Sequence, residues 1–269
     1  MRGDIEGGIR LLLEDRKEYI LEKIKKQPSV TVKELCAAFE VSEVTVRKLL
    51  VQMEQEGTLK RCWGGAVRIT NAAHELAYED KENKNLMEKR AIAKAAYDLI
   101  RDGETIYIDC GTTSFELVKL VIAGNKRLIV CTNAFNILAE LRRAPEIQSI
   151  MIGGELRPAI YSCVGPMAVK MMQMIVVDRA FVTGDHFSLD HGFSVSALKD
   201  ADMKNAVFSA AKRNYIIMDS SKYGDDSMAI MGDVTAGYTL ITDWQLSNEV
   251  AQEFEKRGTR VVIAKALAD

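Results

Sequence analysis

The sequence predicts an α/β protein of two domains, a small helical domain followed by a larger one in which strands alternate with helices. Its 269 residues are enough for about two domains at ~150 residues each. Apolar residues recur at helical spacing up to about residue 55. After residue 86, short runs rich in Val, Ile and Tyr alternate with helical segments, which is typical of a mostly parallel sheet.

Composition excludes several protein classes. Hydrophobic residues make up 48% of the chain and charged residues 28%, as in ordinary globular proteins. The longest apolar runs are far shorter than the ~18 residues that would span a bilayer. The first 15 residues carry only a three-leucine run between charges, which is too short for a signal peptide, so we expect a cytoplasmic protein. The five cysteines are widely spaced without a CxxC pair, which favours buried thiols over disulfides or zinc.

The first domain begins with two predicted helices. A helix over 14–27 is ended by Pro28. Thr31 and Glu34 have the spacing of a capping box at the start of a second, amphipathic helix.

A third helix follows a tight turn. Ser42 is a good N-cap, the helix continues to about Gln55, and Gly57 is a natural stop. The stretch "TLKRCWGGAVRI" then reads as two short strands. Three helices followed by a hairpin predict a winged helix-turn-helix over 14–69. The buried stripe of the third helix is predicted to contain Val46, Leu49, Leu50 and Met53.

The start of the third helix and the hairpin carry the polar and basic side chains that such a module uses to contact DNA. The net charge is +2 for residues 1–69 and −4 for the remainder, an asymmetry that permits nucleic-acid binding without demanding it. The alternative is a protein-docking module with a solvated basic face. The candidate DNA-binding residues are Ser42, Thr45, Arg47, Lys48, Lys60, Arg61 and Trp63.

Residues 70–85 are polar and charged without periodicity, and we interpret them as a linker. The second domain is predicted over 86–269. It opens with a strong helix, "LMEKRAIAKAAYDLI", and contains no internal repeat. The predicted strands lie in "TIYID", "RLIVCT", "IQSIMIGG", "RAFVTG", "NYIIMD", "YTLITD" and "TRVVIA".

Polar residues follow several of these strands. The turn Gly111, Thr112, Thr113, Ser114 lies between a strand and a helix start, where backbone N–H groups and hydroxyls suit an anion. An ordinary helix cap is the alternative. Ligands of open α/β sheets bind at the carboxyl ends of strands. Asn133, Gly153, Gly154 and Lys222 also follow strands, although each could belong to an ordinary loop. Together these residues suit a phosphorylated sugar or polyol.

The stretch "DHFSLDH" also permits a metal-binding interpretation. Its two histidines, His186 and His191, are five residues apart in a loop, which is not a standard ligand spacing. We therefore interpret the stretch as a polar loop, and expect neither a metal nor a cofactor.

Several motifs in order resemble the DeoR family of bacterial transcriptional regulators. In the first domain they are "VSEVTVRKLL" and "GTLKRCWGGA". In the second they are "EKRAIAKAAYDLI", "IDCGTTSFEL", "TNAFNI", "GGELR", "DRAFVTG" and "DSSKYG". The resemblance covers nearly the whole chain. It implies an effector domain that is similar in fold to ribose-5-phosphate isomerase and binds a sugar phosphate.

The resemblance also implies ligand-binding residues by motif match. In "DADMK", Asp200 stands where the family has Glu, and Lys204 is retained. Two departures fall in the first domain: Leu49 replaces an acidic residue and extends the packing face, and Trp63 replaces a histidine on the wing. The implied effector-binding residues are Asp109, Gly111, Thr112, Thr113, Asn133, Asp185, Lys204 and Lys222.

These observations predict a transcriptional repressor of a carbohydrate-utilisation operon, whose affinity for double-stranded operator DNA changes when a sugar phosphate binds. A homodimer or homotetramer is expected, because paired helices read paired half-sites. Two alternatives are an isomerase-like enzyme with an accessory module and a protein-interaction element in place of the DNA-binding domain. Asp185 or Asp200 would be the base of the enzyme, but no nucleophile–base constellation stands out, so we expect no catalysis.

Overall fold

The computed structural model describes residues 13–26, 29–62, 64–67 and 78–267, with backbone only for Lys25, Lys26, Lys60 and Val67. The chain divides into two compact units, 1–71 and 72–269. Within the described ranges, no helix is long and apolar enough to cross a bilayer.

The first unit has the predicted order of three helices and a hairpin, with one added strand. Thr31 and Glu34 form the predicted capping box: Thr31 Oγ1 accepts from the N–H of Glu34, and the Glu34 carboxylate accepts from the N–H of Thr31 at 2.9 Å. The elements are α1 (Leu13–Lys26), β1 (Ser29–Thr31), α2 (Val32–Phe39), α3 (Glu43–Gln55), β2 (Lys60–Cys62) and β3 (Gly65–Val67).

The three strands of this unit form an antiparallel sheet in the order β1-β3-β2. Gly65 allows the close approach of β1 and β3, because a Cβ there would lie 2.0 Å from the carbonyl oxygen of Val30. The strand β1 was absent from the sequence prediction, since three residues carry no detectable periodicity.

The second unit is built on a seven-stranded parallel sheet, and all seven strands fall in the predicted runs. Their spatial order is β15-β14-β12-β9-β4-β5-β6. The strands are β4 (Thr105–Ile108), β5 (Ile129–Thr132), β6 (Gln148–Met151), β9 (Arg179–Val182), β12 (Asn214–Ile217), β14 (Thr239–Asp243) and β15 (Arg260–Ala264).

Helices cover both faces of this sheet. One apolar cluster contains residues of the first helices of the unit, and the other contains residues of the later ones. The helices are α4 (Tyr78–Glu82), α5 (Leu86–Leu99), α6 (Thr112–Ala123), α7 (Phe135–Leu141), α8 (Pro166–Met172), α9 (Leu198–Ala210) and α10 (Asn248–Lys256), with short 3₁₀ turns η1 (Pro158–Ile160) and η2 (Ser220–Lys222). This architecture confirms the predicted α/β fold class.

Antiparallel strands flank the main sheet and were not predicted. They form a hairpin and a three-stranded sheet in the order β10-β11-β13. Their short lengths of three or four residues explain why the sequence pattern missed them. They are β7 (Glu155–Arg157), β8 (Ser162–Val164), β10 (His186–Ser188), β11 (Gly192–Val195) and β13 (Ala229–Gly232).

The interpretation of 70–85 as a linker is wrong for its second half. Residues 78–82 form α4, and Tyr78 is buried in the second unit against Phe115 and Tyr161. A five-residue helix with only one buried side chain gives no amphipathic period, so the sequence pattern had no means of detecting it. Residues 70–77 lie outside the described ranges.

Candidate functional site

The start of α3 presents polar groups to solvent, as the sequence predicts. Ser42 is the N-cap, and its hydroxyl accepts a hydrogen bond from the N–H of Thr45 at 3.4 Å. The opposite stripe of Val46, Leu49, Leu50 and Met53 is buried. Burial of Leu49 confirms that it belongs to the packing face, where an acidic side chain would be desolvated.

The two basic side chains of this helix differ in their local partners. Arg47 donates to the carboxylate of Glu43 one turn earlier at 3.0 Å. Lys48 is exposed and makes no ion pair with any described residue. The exposed pair costs little to separate, so both cations are accessible to a phosphate backbone.

The hairpin is tied to the end of α3 through Arg61. Its backbone N–H and its Nε each donate to the carboxylate of Glu54 at 2.9 Å. This contact links the wing to the end of the helix, while the Arg61 side chain stays about half exposed. Trp63 and the side chain of Lys60, both candidate DNA contacts, lie outside the described residues.

In the second unit, a cleft lies where strands β4, β9 and β12 end. Strands are added in opposite directions on the two sides of the β4–β9 pair, so the cleft lies at the topological switch point of the sheet. Its empty space, counted together with the open solvent at its mouth, is about 840 Å³. Six of the predicted effector-binding residues line it: Gly111, Thr112, Thr113, Asp185, Lys204 and Lys222.

One wall of the cleft is the start of α6. Gly111 is the N-cap, with φ of 129°, and no side chain caps the helix. The N–H of Phe115 bonds back to the carbonyl of Gly111, whereas the N–H groups of Thr112, Thr113 and Ser114 have no partner among the described residues. Free N–H groups at the positive end of a helix dipole attract an anion.

Lys222, in the 3₁₀ turn after β12, lines the same cleft. Within the described part of the chain, its amine makes no hydrogen bond or ion pair. Burial lowers the pKa of Lys222, and nearby Lys81 lowers it further. The cleft is therefore lined both by free backbone donors and by a lysine that makes no ion pair with a described residue.

The floor of the cleft contains a buried charge network. Lys204 Nζ donates to Asp109 Oδ2, and Asp109 also accepts from the N–H of Thr183 at 2.9 Å. Burial by itself would lower the pKa of Lys204, but Asp109 and Asp200 outweigh burial and raise it. Burial raises the pKa of Asp200, whose Oδ1 lacks a hydrogen bond. Asp109 thus supports Lys204 from beneath the cleft and does not itself line it.

Asp185 holds the rim between β9 and β10. It accepts from the N–H of Ser196 at 2.9 Å and from Lys81 Nζ at 2.9 Å. Burial acts to raise the pKa of Asp185, but Lys81 and Ser196 outweigh burial and lower it. The group is therefore a carboxylate at neutral pH.

Besides Asp109, four predicted effector residues do not line the cleft. The Asn133 amide is buried and donates to the carbonyl of Cys163 at 2.9 Å. Gly154 is a packing position, since a Cβ there would lie 2.5 Å from the carbonyl of Val164, and Gly153 is its neighbour. The Ser114 side chain is fully buried. Asn133 follows β5, which lies directly beside β4, but its amide is engaged by Cys163, whereas Gly153 and Gly154 follow β6 at the edge of the sheet.

The sequence prediction missed several side chains that line the cleft. Three lysines and an asparagine come from the segment interpreted as a linker and from the helix after it: Lys81, Lys84, Asn85 and Lys89. The lysines concentrated in "YEDKENKN" and "MEKR" were the sequence feature that could have indicated an anion-binding role for this segment. The histidines of "DHFSLDH" contact serine and aspartate: His186 Nδ1 lies 2.8 Å from Ser227 Oγ, and His191 Nδ1 lies 2.8 Å from Asp226.

Comparisons with known proteins agree for both units. Residues 16–72 match the DeoR-like helix-turn-helix domain, and residues 84–244 match the DeoR C terminal sensor domain. The putative aga operon transcriptional repressor of Escherichia coli O157:H7 is 31% identical over 93% of this chain and 93% of its own length.

Two further matches come from a second repressor and a solved structure. The lactose phosphotransferase system repressor of Staphylococcus epidermidis is 29% identical over 85% of this chain and 91% of its own. Ribose 5 phosphate isomerase A from Neisseria gonorrhoeae aligns at 16% identity and a TM-score of 0.40, over 54% of this chain and 56% of that one. With both family models matched in order along one chain, the protein belongs to the DeoR family of DNA-binding transcriptional regulators.

Proposed function

We propose that this regulator represses a carbohydrate-utilisation operon, and that a phosphorylated sugar or polyol bound in the cleft controls its affinity for operator DNA. In this proposal residues 14–69 bind DNA and 86–269 bind the effector, together with 78–85. The protein acts as a homodimer or homotetramer in the cytoplasm, since paired recognition helices match paired half-sites.

The main support for a phosphorylated effector is a group of hydrogen-bond donors in the cleft that have no partner among the described residues. Free N–H groups at the start of α6 and the amine of Lys222, which makes no ion pair with a described residue, belong to the lining of the same cleft. A phosphate dianion has enough acceptor oxygens to engage both. The carboxylates of Asp185 and Asp200 and the amide of Asn85 can bond to the hydroxyls of a sugar or polyol.

The relatives support a carbohydrate signal. One is named for the aga operon and another for a lactose phosphotransferase system. The names of the relatives favour a regulator over an enzyme. Of the two candidate general bases, Asp185 is paired with Lys81 and Ser196, whereas Asp200 has one carboxylate oxygen without a hydrogen bond among the described residues. We therefore propose binding without turnover.

The decisive experiment is a thermal-shift and calorimetry screen of the full chain against phosphorylated sugars and polyols with their unphosphorylated parents. We expect stabilisation by a phosphorylated member and no response to its unphosphorylated parent.

Lys222→Met is expected to weaken that binding about 10-fold or more, since it removes a charge-assisted contact. Lys170→Met, which removes an exposed lysine of α8, is the matched control. Equal binding of phosphorylated and parent compounds, or isomerase turnover, would overturn the proposal.

A further inference from the structure

The segment 78–85, here called the strap, lies along the cleft and is held by three separate contacts. At its start, the ring of Tyr78 packs 5.0 Å from the ring of Tyr161. In its middle, Lys81 Nζ lies 2.9 Å from Asp185 Oδ1. At its end, Asn85 Nδ2 donates to Asp219 Oδ1 at 2.9 Å. The strap is thus a wall of the effector cleft that is held by side chains rather than by strand pairing.

A further side-chain contact of the strap lies outside the cleft. Tyr161 donates its phenolic hydrogen to the carboxylate of Glu79, and neither of these two side chains lines the cleft. Tyr161 itself has φ of 57°, a left-handed conformation. The docking of the strap can therefore be weakened at a position that a ligand does not touch.

The strap adds two lysines to a cleft that is already lined by lysines of other elements. Lys81 and Lys84 of the strap line the cleft together with Lys89 and Lys222. Repulsion from Lys81 and Lys84 adds to burial in lowering the pKa of Lys222. An anion in the cleft would replace this repulsion with attraction. Such an anion therefore binds the docked strap more tightly than the undocked one, which is the condition for shifting a two-state equilibrium.

The strap is also close along the chain to the DNA-binding unit. That unit ends at Asn71, and Tyr78 follows six residues after Ala72 begins the second unit. The strap is therefore the described part of the second unit that is nearest along the chain to the DNA-binding unit.

We propose that the strap is the element that couples the effector cleft to DNA binding, with an anionic ligand favouring its docked state through Lys81 and Lys84. This inference rests on the proposed function for the identity of the ligand. The docked and undocked states differ in operator affinity, so ligand and undocking substitutions shift that affinity in opposite directions.

The first test needs no ligand. Lys81→Met removes the pair with Asp185, and Tyr161→Asn removes the ring and hydroxyl while keeping a residue that tolerates a left-handed backbone. The control Lys94→Met breaks an exposed pair of α5 with Asp98. Each full-length protein is measured by hydrogen exchange and by titration with an operator fragment that is selected in vitro with the unmodified protein.

We expect about 10-fold faster exchange over 78–85 in both strap variants, and an operator Kd changed at least threefold in the same direction, about 0.7 kcal/mol. The control is expected to change neither. Faster strap exchange with an unchanged operator Kd would overturn the proposal. Unchanged exchange in both variants would also overturn it, because the named contacts would then not hold the strap.

The second test adds glucose 6-phosphate, fructose 1-phosphate, fructose 6-phosphate and glycerol 3-phosphate in turn. A compound that protects 111–115 from exchange is expected also to protect 78–85, and to move operator Kd opposite to Lys81→Met. Protection of 111–115 alone would overturn the coupling while leaving the effector site intact. If these compounds protect neither segment, the result contradicts the proposed sugar-phosphate effector and not the role of the strap. The ligand-free test with Lys81→Met and Tyr161→Asn then decides that role.

Discussion

The amine of Lys204 donates to the carboxylate of Asp109 beneath the effector cleft, and both side chains are almost fully buried. Removing one partner leaves the other charge buried and unpaired. We expect Lys204→Met to lower the free energy of unfolding by about 3–5 kcal/mol, measured by urea denaturation of the sensor-domain transition.

The double variant Asp109→Asn with Lys204→Met is expected to recover part of that loss, because it removes the unpaired charge of Asp109, whereas Asp200 loses Lys204 and keeps only the 4.0 Å contact with Arg157 among its ion pairs with described residues. Lys212→Met, which breaks an exposed pair with Asp178, serves as the control at about 1 kcal/mol or less. If Lys204→Met matches this control, the buried pair does not stabilise the fold as argued.

Lys89 gives the sensor domain a pH-dependent stability. Burial lowers the pKa of its amine to about 8 from 10.5, against the attraction of Asp219. Between these pH values the unfolded chain binds more protons than the folded one, so the contribution of Lys89 to stability rises with pH. The free energy of unfolding of the natural chain and of Lys89→Met is measured by urea denaturation from pH 7.5 to 10. Over this range the natural chain should gain up to roughly 3 kcal/mol of stability relative to the variant. A constant difference across this range would contradict the assignment.

Arg47 and Lys48 are expected to bind phosphate groups of operator DNA. Arg47→Ala and Lys48→Ala should each weaken binding and reduce the slope of log Kd against log salt by about 1. Fluorescence anisotropy at several salt concentrations measures both quantities. Lys170→Ala, on the sensor domain, removes the same charge and should leave the slope unchanged. An unchanged slope in both α3 variants would place the DNA contacts elsewhere.

Leu49 is predicted to stabilise the DNA-binding unit by packing. Its side chain is buried on α3, so Leu49→Ala should destabilise this unit by about 2–5 kcal/mol in thermal unfolding of the full chain. Val44 lies on the exposed face of the same helix, and Val44→Ala should change stability by no more than about 0.5 kcal/mol. Equal effects of the two substitutions would contradict the assigned packing face.

The sequence alone predicted the order and type of the long elements. Helical spacing located α3 and its buried stripe, and runs of branched residues located all seven strands of the parallel sheet. These signals are local, because burial of one face imposes a period on the residues of a single element. Quoted motifs also predicted the family that both domain matches confirm.

Tertiary structure decided which polar residues meet. Thr113 and Lys222, which follow β4 and β12 on the two sides of β9, line one cleft, whereas Asn133 follows β5 beside β4 but donates its amide to the carbonyl of Cys163. Strand order depends on long-range pairing, which no local period records. The strap shows the same limit, since Lys81 reaches Asp185 across 104 residues of chain. The sequence determined the elements and the chemistry available, and only the fold brought five lysines to the lining of one cleft.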